Sequence, residues 1–213
     1  MIKKVSIIIL AITCISLVVL LIIQRNKYTE TVDKYTEAVD KLLNKDKNIN
    51  NSINDITRVF SIQVNSIGNK ILPDLILTDI NHVQYNISQV FDENYKLCFR
   101  FYENSCSACI DRQLLDLEIL SNKIGNGKIV VICDYNEDKF KWLVYKYNSK
   151  FKCYRSMSNS SLGLNIEKEH IPYYFISNNN FKPLFIFPIT DNTNNFVQSF
   201  YEGAMNVIIE HKK

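Results

Sequence analysis

Apolar and polar positions follow three successive patterns along the chain. The first is an uncharged run from Val5 to Ile23, which begins after two lysines and ends shortly before Arg25. Its nineteen residues would extend about 28 Å as a helix, roughly the thickness of the hydrocarbon core of a bilayer. A cleavable signal peptide has a shorter apolar stretch with small residues at its end. The run therefore predicts an uncleaved transmembrane anchor over residues 1–27.

The second pattern is a heptad repeat over residues 28–67. Its apolar positions alternate spacings of three and four, and Asp46 and Gln63 occupy two positions of the same series. This repeat predicts a helix with one narrow buried seam. Two arrangements remain open: a stalk that pairs with a second copy as a coiled coil, which we favour, and a single helix packed on the domain. The apolar positions are Tyr28, Val32, Tyr35, Val39, Leu42, Ile49, Ile53, Ile56, Phe60 and Ile67.

The third pattern alternates strand and helix signals and predicts a domain over residues 69–213. A short hairpin precedes a buried strand, a helix, a second apolar strand and another helix, and two further strands and a last helix follow. This order predicts an α/β fold, with a mixed central sheet and helices on both faces. The predicted elements are the hairpin 75–85, strands 96–102, 128–133, 173–177 and 183–187, an extra strand near 151–155, and helices 106–123, 138–147 and 192–210.

The amino-acid composition limits the classes of protein to which the chain can belong. Apolar residues make up 46% of the chain, so the sequence can bury a core. The net charge is only +3, with lysines and arginines scattered among the acids. The sequence has no row of basic residues that could contact successive phosphates, so we expect no nucleic-acid partner.

The candidate chemistry lies at Cys106-Ser107-Ala108-Cys109, directly after a predicted strand and at the start of a predicted helix. The N-terminus of a helix stabilises a thiolate, so the pKa of Cys106 is expected to fall below that of a free thiol. Cys109 lies one turn further on and could close a disulfide with Cys106. Only a thiolate attacks a disulfide, and this placement predicts thiol–disulfide exchange. A zinc site would need a second C-x-x-C or an H-x₃₋₅-H motif, which the sequence lacks; a purely structural disulfide is the other alternative.

The strand, the Cys-x-x-Cys pair and the helix, followed by Ile171-Pro172 ahead of a strand (IPYYFI), resemble the thioredoxin superfamily. The resemblance covers residues 71–210. It implies a cis proline beside the cysteines, and a backbone at Ile171 and Pro172 that binds substrate peptide as an added strand. The anchor and the LPDLILTD segment are similar to the extracytoplasmic TlpA-like branch of Bacteroidetes-type bacteria.

Two positions depart from the family pattern. Ser105 stands where the family usually has Trp, and Arg100 stands where thioredoxins place a buried Asp that relays a proton. A cation at Arg100 cannot act as a base, but it would favour a thiolate at nearby cysteines, which makes it a possible modulator. Alternatively, Arg100 pairs with Glu103 or another carboxylate.

The remaining cysteines of the domain, Cys98, Cys133 and Cys153, fit core packing, with Cys133 able to approach the active pair from the end of its strand. His170 precedes Ile171-Pro172 and suggests a second hypothesis, in which two thiolates and this imidazole hold Cu(I) as in copper-delivery relatives of the fold. A redox-inert adaptor that binds a membrane partner is a third.

Together these observations predict a membrane-tethered thiol–disulfide oxidoreductase with Cys106 as attacking thiolate, Cys109 as resolving thiol, and no metal or other cofactor. We expect its partners to be protein thiols and disulfides, with a possible homodimer through the stalk. The expected location is the inner membrane of a bacterium, with the domain on the periplasmic side. The sequence fits an oxidant and a reductant equally, since the reduction potential is set by small local effects.

Overall fold

The computed structural model describes residues 2–66, 68–147, 150–157, 160–190 and 193–210. At residues 2–23, 28, 29, 31, 32, 38, 42, 46, 48, 194 and 195 it describes the backbone alone. The chain divides into two compact units, Met1–Asn51 and Ser52–Lys213.

The first unit consists of helix α1, Ile2–Ser66, up to the division between the units. Ion pairs at a spacing of four residues join Glu30 to Lys34 (2.7 Å) and Glu37 to Lys41 (2.6 Å). Large apolar side chains of the predicted seam are exposed in this unit; those described are Tyr35, Val39 and Ile49. Of the remaining seam positions here, Tyr28, Val32 and Leu42 lie outside the side chains that the structure describes.

Where side chains are described, no helix is long and apolar enough to cross a membrane. The predicted anchor, residues 1–27, falls mostly on positions outside that description. The anchor therefore stays a prediction.

The second unit is built on a seven-stranded mixed sheet in the order β2-β1-β5-β4-β3-β6-β7. Strands β3, β4 and β5 are parallel, while β1, β2, β6 and β7 join by antiparallel pairs. The predicted mixed sheet is confirmed. The strands are β1 Ile76–Thr78, β2 Gln84–Asn86, β3 Lys96–Phe101, β4 Ile129–Cys133, β5 Lys152–Ser156, β6 Tyr173–Ser177 and β7 Phe185–Pro188.

Among the described residues, four helices follow α1: α2 Ile87–Val90, α3 Ser107–Ile124, α4 Glu137–Tyr147 and α5 Val197–Glu210. Short 3₁₀ turns lie at Asn126–Lys128, Asn165–Glu169 and Thr193–Phe196. The sequence predicted neither α2 nor the turn at Asn165–Glu169.

Two apolar layers cover the sheet, because successive side chains of a strand point to opposite faces. Helices α3, α4 and α5 pack on one face, against residues such as Phe99, Phe101 and Tyr174. The N-terminal part of the domain, including α2, covers the opposite face, to which Cys98 and Tyr173 contribute. We call these the α3 face and the α2 face. The predicted arrangement of helices on both faces is thus observed.

The last four turns of α1, Ser52–Ser66, belong to the same compact unit as the sheet. Ile62 is buried against the α2-face core, and the side-chain oxygen of Gln63 accepts a hydrogen bond from the backbone N–H of Ile186 in β7 (3.2 Å). The sequence predicted a domain from residue 69 and a stalk over 28–67. In the structure the domain unit begins at Ser52. The burial of Ile62 and the hydrogen bond between Gln63 and β7 hold this end of the helix against the sheet.

Candidate functional site

A tight turn connects β3 to α3 and carries the first cysteine. The backbone N–H of Tyr102 donates to the hydroxyl oxygen of Ser105 (3.1 Å), and the N–H of Ser105 donates to the Tyr102 carbonyl (3.0 Å). Ser105 therefore closes the turn with its own side chain. The N–H of Glu103 donates to Asp134 in the loop after β4 (2.6 Å), so the turn is also held from the neighbouring strand.

Cys106 is the N-cap residue of α3, and its carbonyl accepts the first helical hydrogen bond, from the N–H of Ile110 (3.0 Å). Its side chain is exposed, whereas that of Cys109 is half-buried one turn further on. Backbone N–H groups in the first turn of a helix point toward the N-cap and favour negative charge there. The two cysteines therefore occupy unequal positions at the positive end of a helix, as the sequence predicted.

Pro172 lies just ahead of β6, which pairs with β3 in the register Arg100 to Tyr173. Extending this register by one residue places Pro172 opposite Phe101, where the turn to Cys106 begins. Because side chains alternate along a strand, Pro172 lies on the same face as Tyr174, the α3 face. The structure thus brings Pro172 and the cysteine-bearing helix to one end and one face of the sheet.

The peptide bond between Ile171 and Pro172 is trans. The resemblance to thioredoxins implied a cis bond, and the structure differs from the family pattern here. The Pro172 carbonyl accepts a hydrogen bond from the N–H of Ile189 (2.7 Å), and His170 just before has a left-handed backbone with φ 52°. The bend into β6 is therefore made at His170.

Arg100 is buried on the α2 face, away from helix α3, because it alternates with Phe99 and Phe101 along β3. Its Nε lies 3.5 Å from Oε1 of Glu167, which is also buried. The guanidinium donates to the Ser156 hydroxyl (3.0 Å) and to the Ser160 carbonyl (3.3 Å). Arg100 thus has a carboxylate partner, as the second of our two alternatives proposed, but the partner is Glu167 rather than Glu103. Pattern reasoning could not identify Glu167, since 67 positions separate the two residues in the chain.

The three core cysteines are buried, and burial raises the pKa of each thiol. Cys133, which the sequence suggested could approach the active pair, lies on the α3 face with its Sγ 3.9 Å from the Tyr154 carbonyl. Burial raises the pKa of this thiol to about 12. Since only a thiolate exchanges with disulfides, burial of Cys133 opposes a part for it in the exchange.

A buried polar network lies one helical turn beyond Cys109, and sequence reasoning missed it. The Gln113 side-chain oxygen is 3.0 Å from the Tyr174 hydroxyl and 3.2 Å from the Tyr201 hydroxyl, and the two hydroxyl oxygens are 2.7 Å apart. Gln113 is a polar residue on the apolar face of α3, which was the available signal. The network joins α3, β6 and α5, so it fixes the cysteine helix against the strand that follows Pro172.

The Cu(I) hypothesis required His170 and the two thiols to converge. Within the described residues, no group of three or more His, Cys, Asp or Glu side chains could hold a metal ion. The His170 ring instead contacts the ring of Tyr102, with centroids 5.6 Å apart.

Several solved structures are similar to this chain at low sequence identity. Reduced Prx3 from Vibrio vulnificus is 12% identical with a TM-score of 0.53, over 64% of this chain and 96% of that one. A thioredoxin-like protein from Bacteroides caccae is 20% identical with a TM-score of 0.45, over 66% and 50% of the two chains. Yeast Sco1 is 9% identical with a TM-score of 0.44, over 62% and 93%.

The likeness to Prx3 shows the fold alone, and the fold is thioredoxin-like. No protein-family model and no curated protein matches the chain.

Proposed function

We propose that the protein is a thiol–disulfide oxidoreductase that acts on protein disulfides through Cys106 and Cys109. The observation that carries the proposal is the exposed Cys106 at the N-cap of α3, with Cys109 half-buried one turn inside. The turn that presents Cys106 is held by Ser105 and by Asp134. Such a fixed, exposed thiol at the positive end of a helix suits nucleophilic attack.

The proposed reaction exchanges two electrons between two dithiol pairs. The Cys106 thiolate attacks one sulfur of a substrate disulfide, a mixed disulfide forms, and the other substrate sulfur leaves as a thiolate that takes up a proton. Cys109 then loses its proton and attacks the Cys106 sulfur, which releases the second substrate thiol and leaves a Cys106–Cys109 disulfide. The substrate is reduced and the protein oxidised; the reverse sequence oxidises the substrate.

The proposal also covers where the protein lies in the cell. The apolar run before Arg25 supports a single membrane span, and the TlpA-like resemblance supports a periplasmic domain at the inner membrane of a bacterium. The exposed apolar positions of α1 support pairing with a second copy. A reporter enzyme that is active only outside the cytoplasm, fused after residue 213, tests the orientation, and activity of the fusion is the expected result.

Reduction of insulin disulfides by dithiothreitol, followed by turbidity, tests the activity itself. We expect the wild-type chain to accelerate precipitation and Cys106→Ser to abolish the effect, with Cys98→Ser as a matched control that keeps it. Equilibration of the Cys106–Cys109 pair with glutathione then gives the reduction potential and hence the direction of exchange. Equal rates for the wild type and Cys106→Ser would favour the redox-inert adaptor.

A further inference from the structure

The segment Asn165–Glu169, which precedes Pro172, contacts two different parts of the domain: helix α1 and strand β3. The side-chain amide of Asn165 donates to the Asn65 carbonyl of α1 (3.2 Å), and Glu169 forms an ion pair with Arg58 of α1. Between them, Glu167 faces the buried Arg100 of β3. The 3₁₀ turn Asn165–Glu169 is thus held from the sheet on one side and from α1 on the other.

This turn ends directly at the predicted substrate groove. Glu169 is followed by His170, whose left-handed backbone (φ 52°) bends the chain into Ile171 and Pro172. A left-handed conformation is unfavourable for a residue with a side chain, so it persists only where its surroundings hold it. The Arg58–Glu169 pair is one restraint beside that bend. The others are the hydrogen bond from the His170 N–H to the Glu167 carbonyl (3.2 Å) and the contact of the His170 ring with Tyr102.

The end of α1 that carries Arg58 is itself fixed to the domain. Ile62, one turn further along the same face of the helix, is buried, and Gln63 binds the backbone of β7. The ion pair therefore joins the groove segment to a rigid support, even though the two side chains are 46% and 37% exposed.

We propose that Arg58 is a positioning residue of the substrate groove, which acts through Glu169 to hold the backbone of His170, Ile171 and Pro172 in the conformation that receives a protein substrate. This inference rests on the proposed function, because the groove has a role only if the cysteines exchange with protein disulfides. Exposed ion pairs contribute modestly, so the effect is expected to be about threefold.

The test uses the full chain and compares Arg58→Gln with Lys41→Gln, which breaks another exposed ion pair of α1. For Arg58→Gln we expect amide hydrogen exchange of residues 165–171 to rise about threefold, with β3 and β4 unchanged. The KM for insulin should rise about threefold at constant kcat, while turnover of oxidised glutathione, which needs no extended groove, stays the same. The charge swap Arg58→Glu with Glu169→Arg should restore both, and Lys41→Gln should change neither.

Unchanged exchange at residues 165–171, an increase spread over the whole sheet, or an equal loss with insulin and glutathione would overturn the inference. A wild-type protein without thiol exchange would be a separate failure, that of the proposed function. The hydrogen-exchange result would then still decide whether Arg58 positions the segment.

Discussion

Arg100 and Glu167 form a buried ion pair across the α2 face, with Nε and Oε1 3.5 Å apart and with 1% and 7% of their side chains exposed. Two hydroxyl groups also contact the carboxylate: Ser161 donates to Oε2, and the Tyr102 hydroxyl lies 3.5 Å from Oε1. A charge at this depth is tolerated only while its partner is present. The pair therefore ties β3 to the segment before Pro172.

Breaking this pair is expected to destabilise the domain strongly. Arg100→Leu leaves the Glu167 carboxylate buried without a counter-charge and should cost about 3–5 kcal/mol of unfolding free energy. Replacing both residues, as Arg100→Met with Glu167→Leu, should recover most of the loss. Urea unfolding measures both effects, and Lys141→Gln, which breaks an exposed pair with Glu137, serves as the control, with an expected cost below about 1 kcal/mol. A double variant as unstable as Arg100→Leu would contradict this account.

The two active cysteines are expected to behave differently when each is replaced. Without the resolving thiol, Cys109→Ser should keep substrate proteins attached to Cys106 as mixed disulfides, visible as shifted bands on gels run without reductant. Cys106→Ser, which removes the exposed attacking thiol, should give neither activity nor shifted bands. Equal amounts of mixed disulfide in the two variants would contradict the unequal roles that we infer from the N-cap position of Cys106.

Alkaline pH should weaken the fold through its buried thiols. Burial raises the pKa of Cys133 to about 12, whereas the pKa of a thiol in an unfolded chain is about 8.5. Between these values the unfolded chain loses a proton that the folded chain keeps. The stability contribution is therefore complete below about pH 8.5 and is lost as the pH rises toward 12.

For this one group the loss by pH 10 is about 2 kcal/mol. Unfolding by urea at pH 8 and pH 10 should show a smaller pH dependence in Cys133→Val than in the wild type. Cys106→Ser, at an exposed position, provides the comparison. An identical pH dependence in Cys133→Val and the wild type would argue against the raised pKa.

The heptad seam of α1 is expected to pair with a second copy. Val39 lies in this seam and is 52% exposed, so Val39→Cys should form a disulfide-linked dimer in membranes under mild oxidation. Asp40→Cys, one position round the helix and off the seam, should cross-link far less. Similar yields from the two variants would indicate random collision rather than a coiled coil.

The structure also limits how far such a coiled coil can extend toward the domain. Phe60 is 68% exposed and remains available, but the next seam position, Gln63, is bound to the β7 backbone. Ile67 lies outside the described residues. Within Ser52–Ser66, Ile62 and Gln63 pack on the domain. The seam positions Ile53, Ile56 and Phe60 are exposed there, so pairing with a second copy remains our proposal for α1 up to Phe60.

Local patterns were enough to predict most of the sheet. The strand Tyr173–Ser177 matches its prediction, and Lys96–Phe101 differs by one residue, because continuous apolar runs identify buried strands. The position of the cysteine pair between a strand and a helix could be predicted as well, because strand, pair and helix follow one another directly in the sequence. The last helix was predicted from residue 192 but begins at Val197, after a 3₁₀ turn.

What could not be predicted depends on partners distant in the sequence. The contacts of Arg100 with Glu167, of Gln63 with Ile186 and of Gln113 with Tyr174 join residues 61 to 123 positions apart. A heptad pattern shows that a helix has an apolar seam, but not whether a domain or a second helix covers it. The expectation of a cis bond before Pro172 was wrong for another reason: it was carried over from a family pattern, and the bond is trans.

The two edges of the sheet are closed to further strands in different ways. At one edge β2 has only three residues, Gln84–Asn86. At the other, β7 ends in Pro188, which has no N–H, and the N–H of Ile186 is taken by Gln63. Open strand edges let chains pair with one another and aggregate. The end of α1 therefore also limits aggregation. A fragment that starts at residue 69 would lack Gln63 and would expose the edge of β7 to other chains. This edge lies beside an apolar cleft of about 500 Å³.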